Sequence, residues 1–250
     1  MSLLLALAFL TALPVAAATR RSPTPAELTR SLAFFPLVGL LLGGLLAGVD
    51  GLLRLVLPAM LVAALVMALG ALLTGALHWD GLMDSCDGLL GARDAQRALD
   101  IMRDSRIGAF GALGAACVAL IEWNALSALP AATRAIWIVL AFALSRWIMV
   151  LLVVWFPYAR TAGLGTPLQH AGLREVTAAS VIAAVAATAL ATWAGLLALA
   201  VCLGLAYGLG RWASGRLGGL TGDVYGAIAL LCEVAVLILG TALSGFRSWW

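Results

Sequence analysis

Uncharged apolar runs of close to twenty residues recur from one end of this 250-residue chain to the other, and this repetition leaves little choice of solvent. A hydrocarbon slab ~30 Å thick takes about 20 apolar residues per helix. A backbone crossing lipid must satisfy its own hydrogen bonds, which a helix does within itself. With 64% hydrophobic and only 11% charged residues, the chain leaves no room for a separate soluble domain. The expected fold is all-α: a polytopic integral membrane helical bundle forming one domain over residues 1–250, with about eight transmembrane helices.

Apolar stretches bounded by charge or by Pro and Gly place those helices near 2–18, 33–53, 58–77, 107–127, 135–155, 176–191, 194–210 and 226–246. The first lacks the leading positive charge of a signal peptide, since Arg20 and Arg21 follow it, and is read as a retained helix. The run from Val176 to Gly210 is too long for one span, so a turn is expected near Trp193 and Gly195. With eight spans, eleven arginines fall on one side and Arg54, Arg134 and Arg247 on the other, a positive-inside pattern that puts the arginine-rich face in the cytoplasm. Glycines at 39, 43, 44 and 48 form two overlapping small-residue stripes suited to close helix packing. Asp50 and Arg54, four residues apart, read as a local ion pair. Cys86, Cys117, Cys202 and Cys232 lie too far apart for a zinc site or disulfide framework. A formal charge of +3 gives no reason to expect nucleic-acid binding.

Against this background one segment is anomalous. Six of the twelve acidic residues, Asp80, Asp84, Asp87, Asp94, Asp100 and Asp104, fall between Leu77 and Ile107. If Asp80 to Gly91 is helical, Asp80, Asp84 and Asp87 share one face, and Asp100 and Asp104 form a second pair four apart. Like charges so arranged repel unless a cation lies among them. Magnesium prefers carboxylate and water oxygens and is commonly shared with substrate phosphates, so Mg²⁺ is the expected cofactor. Arg93, Arg97, Arg103, Ser105 and Arg106 lie in the same stretch among glycines, where arginines can clamp phosphate. Arg160 and Thr161, with Thr221 and Asp223 in a Gly-rich run, are expected on the same face and are candidates to bind phosphate or nucleoside. Asp94 falls off both acidic faces and reads as a solvated loop residue. Glu122 and Glu233 lie within apolar runs and have no assigned role.

The run GALHWDGLMDSCDGLLGARDAQRALDIMRDSRIGAFGALG, Gly75 to Gly114, resembles the cobalamin 5'-phosphate synthase family, also called adenosylcobinamide-GDP ribazoletransferases. FLTALP at 9–14, SLAFFPLVG at 31–39, YARTAGLG at 158–165 and GGLTGDVYGA at 218–227 are similar to the family's other landmarks in the same order. Trp79 stands where many relatives are expected to carry an acidic residue. The resemblance implies a bacterial inner-membrane transferase, its active site facing the cytoplasm. It would join adenosylcobinamide-GDP to α-ribazole or its 5'-phosphate and release GMP. Its expected partners are those small molecules and the lipid bilayer, with self-association and association with other nucleotide-loop assembly enzymes as further expectations. On this reading Asp80, Asp84, Asp87, Asp100 and Asp104 are metal ligands, with Asp80, Asp100 or His78 as general base. Asp84, Asp87, Gly88, Arg93, Asp100 and Asp104 also echo the CDP-alcohol phosphotransferases, an alternative class. A divalent-cation transporter fits less well, because most ionisable groups crowd one surface and not the bilayer midplane.

Overall fold

The structure, a computed structural model that describes residues 1–15, 23–160, 168 and 171–246, is all-helical apart from turns among those residues. Its helices are α1 (Ser2–Leu10), α2 (Pro25–Ser31), α3 (Phe35–Leu53), α4 (Ala59–Leu73), α5 (Leu77–Gly91), α6 (Ala95–Ile101), α7 (Ala109–Ala128), α8 (Ala131–Trp155), α9 (Leu173–Leu217) and α10 (Gly222–Phe246). Five stretches among the described residues are long and apolar enough to cross a bilayer: Pro25–Leu53, α7, α8, α9 and Gly222–Leu243. Helices α4 and α5 pass the same test only when joined, and an 88° bend separates them.

The first helix departs from expectation. It stops at Leu10 and does not continue to 18, because Thr11 turns its hydroxyl onto the Leu7 carbonyl and adopts extended backbone. The Ala12 amide then bonds the Leu73 carbonyl at 2.8 Å, tying this segment to the end of α4. Nine residues span about 13.5 Å at 1.5 Å per residue, roughly half a hydrocarbon core. The long run that follows α8 bends as anticipated: α9 is broken at Thr192, with φ 49° and ψ −123°. A methyl group at Gly195 would clash with the Ala187 carbonyl. In a straight helix those two positions are about 12 Å apart. The halves therefore fold back on each other.

Helix α8 forms the axis of the bundle, its side chains buried almost without interruption from Ile138 to Val153. Helix α3 lies against it through one of the two glycine stripes only. A side chain on Gly39 or Gly43 would strike the α8 backbone at Phe142 or Val139, whereas Gly44 and Gly48 face open space. Gly43→Leu is therefore expected to cost about 1–3 kcal/mol of stability through overpacking. Gly48→Leu should be nearly neutral, a contrast that thermal unfolding in detergent would read.

Two buried ion pairs pin α8 to its neighbours, and the first corrects the expected Asp50–Arg54 pairing. Arg134 Nε lies 2.8 Å from both Asp50 carboxylate oxygens, 84 residues away in sequence, with both side chains buried. A charge this deep needs a partner equally deep, and Arg54, at the C-terminal end of α3, is not one. Farther along α8, Arg146 donates to Glu233 of α10 and to Ser145.

A candidate active site at one end of the bundle

The turn between α4 and α5 is made by Gly75 and Ala76, both with positive φ (60° and 57°), and it throws the chain sideways into α5. Helix α5 then packs along the first two to three turns of α7 and α10. At one contact, Gly81 backs onto α10 so closely that a methyl group there would come within 2.6 Å of the Asp223 carbonyl oxygen. At the other, the Asp87 carboxylate accepts from the Gly108 amide at 2.7 Å and the Gly111 amide at 2.8 Å, satisfying backbone donors at the start of α7. The segment after α8 reaches the same end through paired bonds, Ala159 N to Leu220 O and Leu220 N to Pro157 O, each 2.8 Å. Arg216, near the end of α9, donates to the Leu89 carbonyl of α5 at 2.5 Å.

These connections assemble a carboxylate group that the sequence only half suggests. Asp80 and Asp84 stand one helical turn apart on α5, Asp80 exposed and Asp84 half-buried. Asp223, from the first turn of α10, faces them. Burial, then the nearby charges of Asp80 and Asp223, push the Asp84 carboxyl up to about 7, with Arg160 as the opposing cation. Arg160 is fixed by Asp223 at 2.8 Å and by the Met102 carbonyl at 3.4 Å, and the Thr221 hydroxyl donates to Asp223 at 3.2 Å. Asp223, expected as a phosphate or nucleoside contact, is thus a third acidic member of the Asp80–Asp84 group, and Arg160 is its counter-ion.

The remaining aspartates are placed elsewhere. Both Asp87 oxygens are occupied by the α7 amides. Asp94 caps α6, accepting from the Arg97 amide at 2.8 Å, and Asp100 accepts from Gln96 at 3.1 Å. Asp104 is held by Arg106 at 2.6 Å, and that hydrogen-bonded guanidinium keeps its carboxyl below the usual carboxylate range. Arg93, Arg97, Arg103, Ser105 and Arg106 are exposed around α6 and the turn after it. His78 is buried, 3% exposed, and neither ring nitrogen has a hydrogen-bond partner. Thr161 lies outside the described residues, as do Arg20, Arg21 and Arg247.

Among the described residues, no three His, Cys, Asp or Glu side chains stand close enough to enclose a metal ion by themselves. The donor set nevertheless suits magnesium, which is usually held by one or two carboxylates and completed by water and substrate phosphate. Asp80 and Asp84, with Asp223 opposite, offer that chemistry.

Trp79, at the position where an acidic residue is expected in relatives, lines an apolar cleft between α4 and α7 and not the carboxylate group. Sequence reasoning missed Arg146 altogether. Its signal was available: a lone arginine in the middle of an apolar run calls for a buried acid, and Glu233 was unassigned. Glu122, from α7, is buried near the same pair.

A helical membrane bundle that holds two buried ion pairs and gathers its exposed acids and arginines at one end has the build of a membrane-embedded enzyme. The chain belongs to the cobalamin-5-phosphate synthase family, whose model matches residues 2–241, and it is therefore a transferase of late cobalamin biosynthesis. It is 42% identical over 234 residues to the adenosylcobinamide-GDP ribazoletransferase of Syntrophobacter fumaroxidans, covering 93% of this chain and 94% of the relative. It is 40% identical to the enzyme of that name from Pseudomonas syringae pv. syringae, covering 94% and 96%. The corresponding figures for the protein of that name from Roseiflexus are 39%, 97% and 90%. No solved structure matches the chain.

Proposed function

We propose that this chain joins adenosylcobinamide-GDP to α-ribazole, or to α-ribazole 5'-phosphate, at the Asp80–Asp84–Asp223 group, with GMP as leaving group. The observation that supports this site most is the meeting of Asp80 and Asp84 of α5 with Asp223 of α10 beside Arg160, residues about 140 positions apart brought to one end of the bundle. In the reaction the ribazole hydroxyl oxygen forms a bond to the cobinamide-linked phosphorus as the bond to GMP breaks, and the hydroxyl proton leaves. Asp80, the most accessible of the three carboxylates, is the residue we assign to receive that proton. His78 is sealed from the exposed surface, and Asp100 is engaged by Gln96 on α6.

Asp84, with Asp223 opposite, would hold Mg²⁺, which when bound would neutralise the diphosphate. Arg160, immobilised by Asp223 and the Met102 carbonyl, orients phosphate at the rim with little entropy left to lose. Arg93, Arg97, Arg103 and Arg106 supply positive potential around the entrance and attract a polyanionic substrate. We place this end of the bundle in the cytoplasm and the protein in the bacterial inner membrane, on the arginine distribution.

Purified protein given Mg²⁺, adenosylcobinamide-GDP and α-ribazole phosphate is expected to release GMP in step with a corrinoid phosphodiester, followed by chromatography. Release of CMP from CDP-linked alcohols instead would reject the assignment.

A further inference from the structure

Next to the carboxylates a cavity of about 200 Å³ opens between α1, α3, α8 and α10, and Asp80, Arg160 and Asp223 form its polar edge. Its other walls are mostly apolar and include four aromatic rings, two of them tyrosines. Phe9 and Phe35 stack with ring centroids 5.6 Å apart, and Tyr158 and Tyr225 stack at 6.4 Å. Phe35 and Tyr225 are 1% and 3% exposed, whereas Asp80 is exposed, so the cavity runs from an exposed acidic rim to a buried aromatic interior.

That gradient selects for shape and polarity together. A flat fused ring system fits among aromatic faces through offset or edge contacts. A base with hydrogen-bonding groups around its whole edge, such as guanine, would leave those that face Met149, Val153, Phe9 and Phe35 unpaired, a cost that disfavours it relative to a benzimidazole. A ribazole carries a benzimidazole: bicyclic, apolar at its outer edge, and joined to ribose at the other.

Resting on the ribazoletransferase reading above, we propose that this cavity is the subsite for the aromatic base of α-ribazole, accepting a benzimidazole and refusing guanine. The base enters edge-first between the Phe9–Phe35 and Tyr158–Tyr225 pairs. The ribose then lies at the rim, its hydroxyl beside Asp80 and any 5'-phosphate within reach of Arg160. Selectivity for the nucleophilic substrate and activation of its hydroxyl are thereby adjacent within one cavity.

Equilibrium dialysis of the full-length protein in detergent with α-ribazole alone tests this. Tyr158 is only half-buried, so Tyr158→Ala is compatible with folding; it should weaken α-ribazole binding about tenfold or more, while Tyr158→Phe, which keeps the ring, binds as wild type does. In turnover assays Tyr158→Ala should raise KM for α-ribazole and leave KM for adenosylcobinamide-GDP within about twofold. If Tyr158→Ala fails to fold, displacement from the wild type decides: free dimethylbenzimidazole should compete with α-ribazole and guanosine should not. Competition by guanosine, or a KM change confined to adenosylcobinamide-GDP, overturns the assignment. The two readings separate cleanly. A wild type that binds α-ribazole in this way yet never releases GMP would remove the proposed reaction and keep the subsite. One that turns over while Tyr158→Ala is unaffected would do the reverse.

Discussion

Asp84→Asn is expected to lower turnover by about 10³-fold or more, with membrane insertion and melting temperature unchanged. The carboxylate is half-buried and already crowded by Asp80 and Asp223, so the folded protein spends stability to keep three acids together. An amide of the same shape removes the repulsion and the ligand at once. The variant should therefore be at least as stable as the parent while inactive, a combination that general damage to the fold does not produce. Asp104→Asn, at an exposed turn where Arg106 already engages the carboxylate, should cost less, about tenfold. Initial rates of GMP release at saturating Mg²⁺ provide the comparison. An Asp84→Asn enzyme retaining more than a tenth of wild-type activity would remove the argument for a cation at this position.

Breaking the buried Asp50–Arg134 pair should cost about 3–5 kcal/mol of stability for Asp50→Leu or Arg134→Met alone. Each leaves one full charge in the bundle interior with its partner gone, and neither Arg54 nor any exposed group is placed to replace it. The double variant removes both charges and should recover most of the loss. Unfolding midpoints in mixed micelles, compared as a double-mutant cycle, measure the coupling. Single variants that cost under about 1 kcal/mol would mean that water reaches the pair.

The architecture was readable where it follows from periodicity and length. Helices over 109–128, 131–155 and 222–246 lie within a few residues of their expected bounds, and the break at Thr192 falls where an over-long apolar run has to turn. Hydropathy says nothing about direction, however. The stretch from 58 to 77 gave no warning that the chain would bend by 88° after Leu73, because Gly75 and Ala76 are as apolar as the helix they terminate. The aspartate segment stood out by its charge density alone, but its internal division did not. Helical spacing aligned Asp87 with Asp80 and Asp84. Only tertiary packing could show that Asp87 faces the amide donors of α7 and that Asp223 faces the other two. Local spacing misled in the same way at Asp50, whose neighbour four residues on was the wrong arginine.

Both deep arginines sit on α8, and their acids lie on opposite sides of it in the chain: Asp50 is synthesised earlier and Glu233 much later. During insertion Arg134 can therefore be neutralised as soon as α8 leaves the translocon, but Arg146 lacks its hydrogen-bonded partner Glu233 until α10 emerges, and only Glu122 of α7 is near it before then. An uncompensated arginine at mid-bilayer costs about 2.5–3.5 kcal/mol on the insertion scale. The nascent bundle thus lacks the Arg146–Glu233 contact until α10 arrives, and truncation before Glu233 should leave a product that quality-control proteases can recognise.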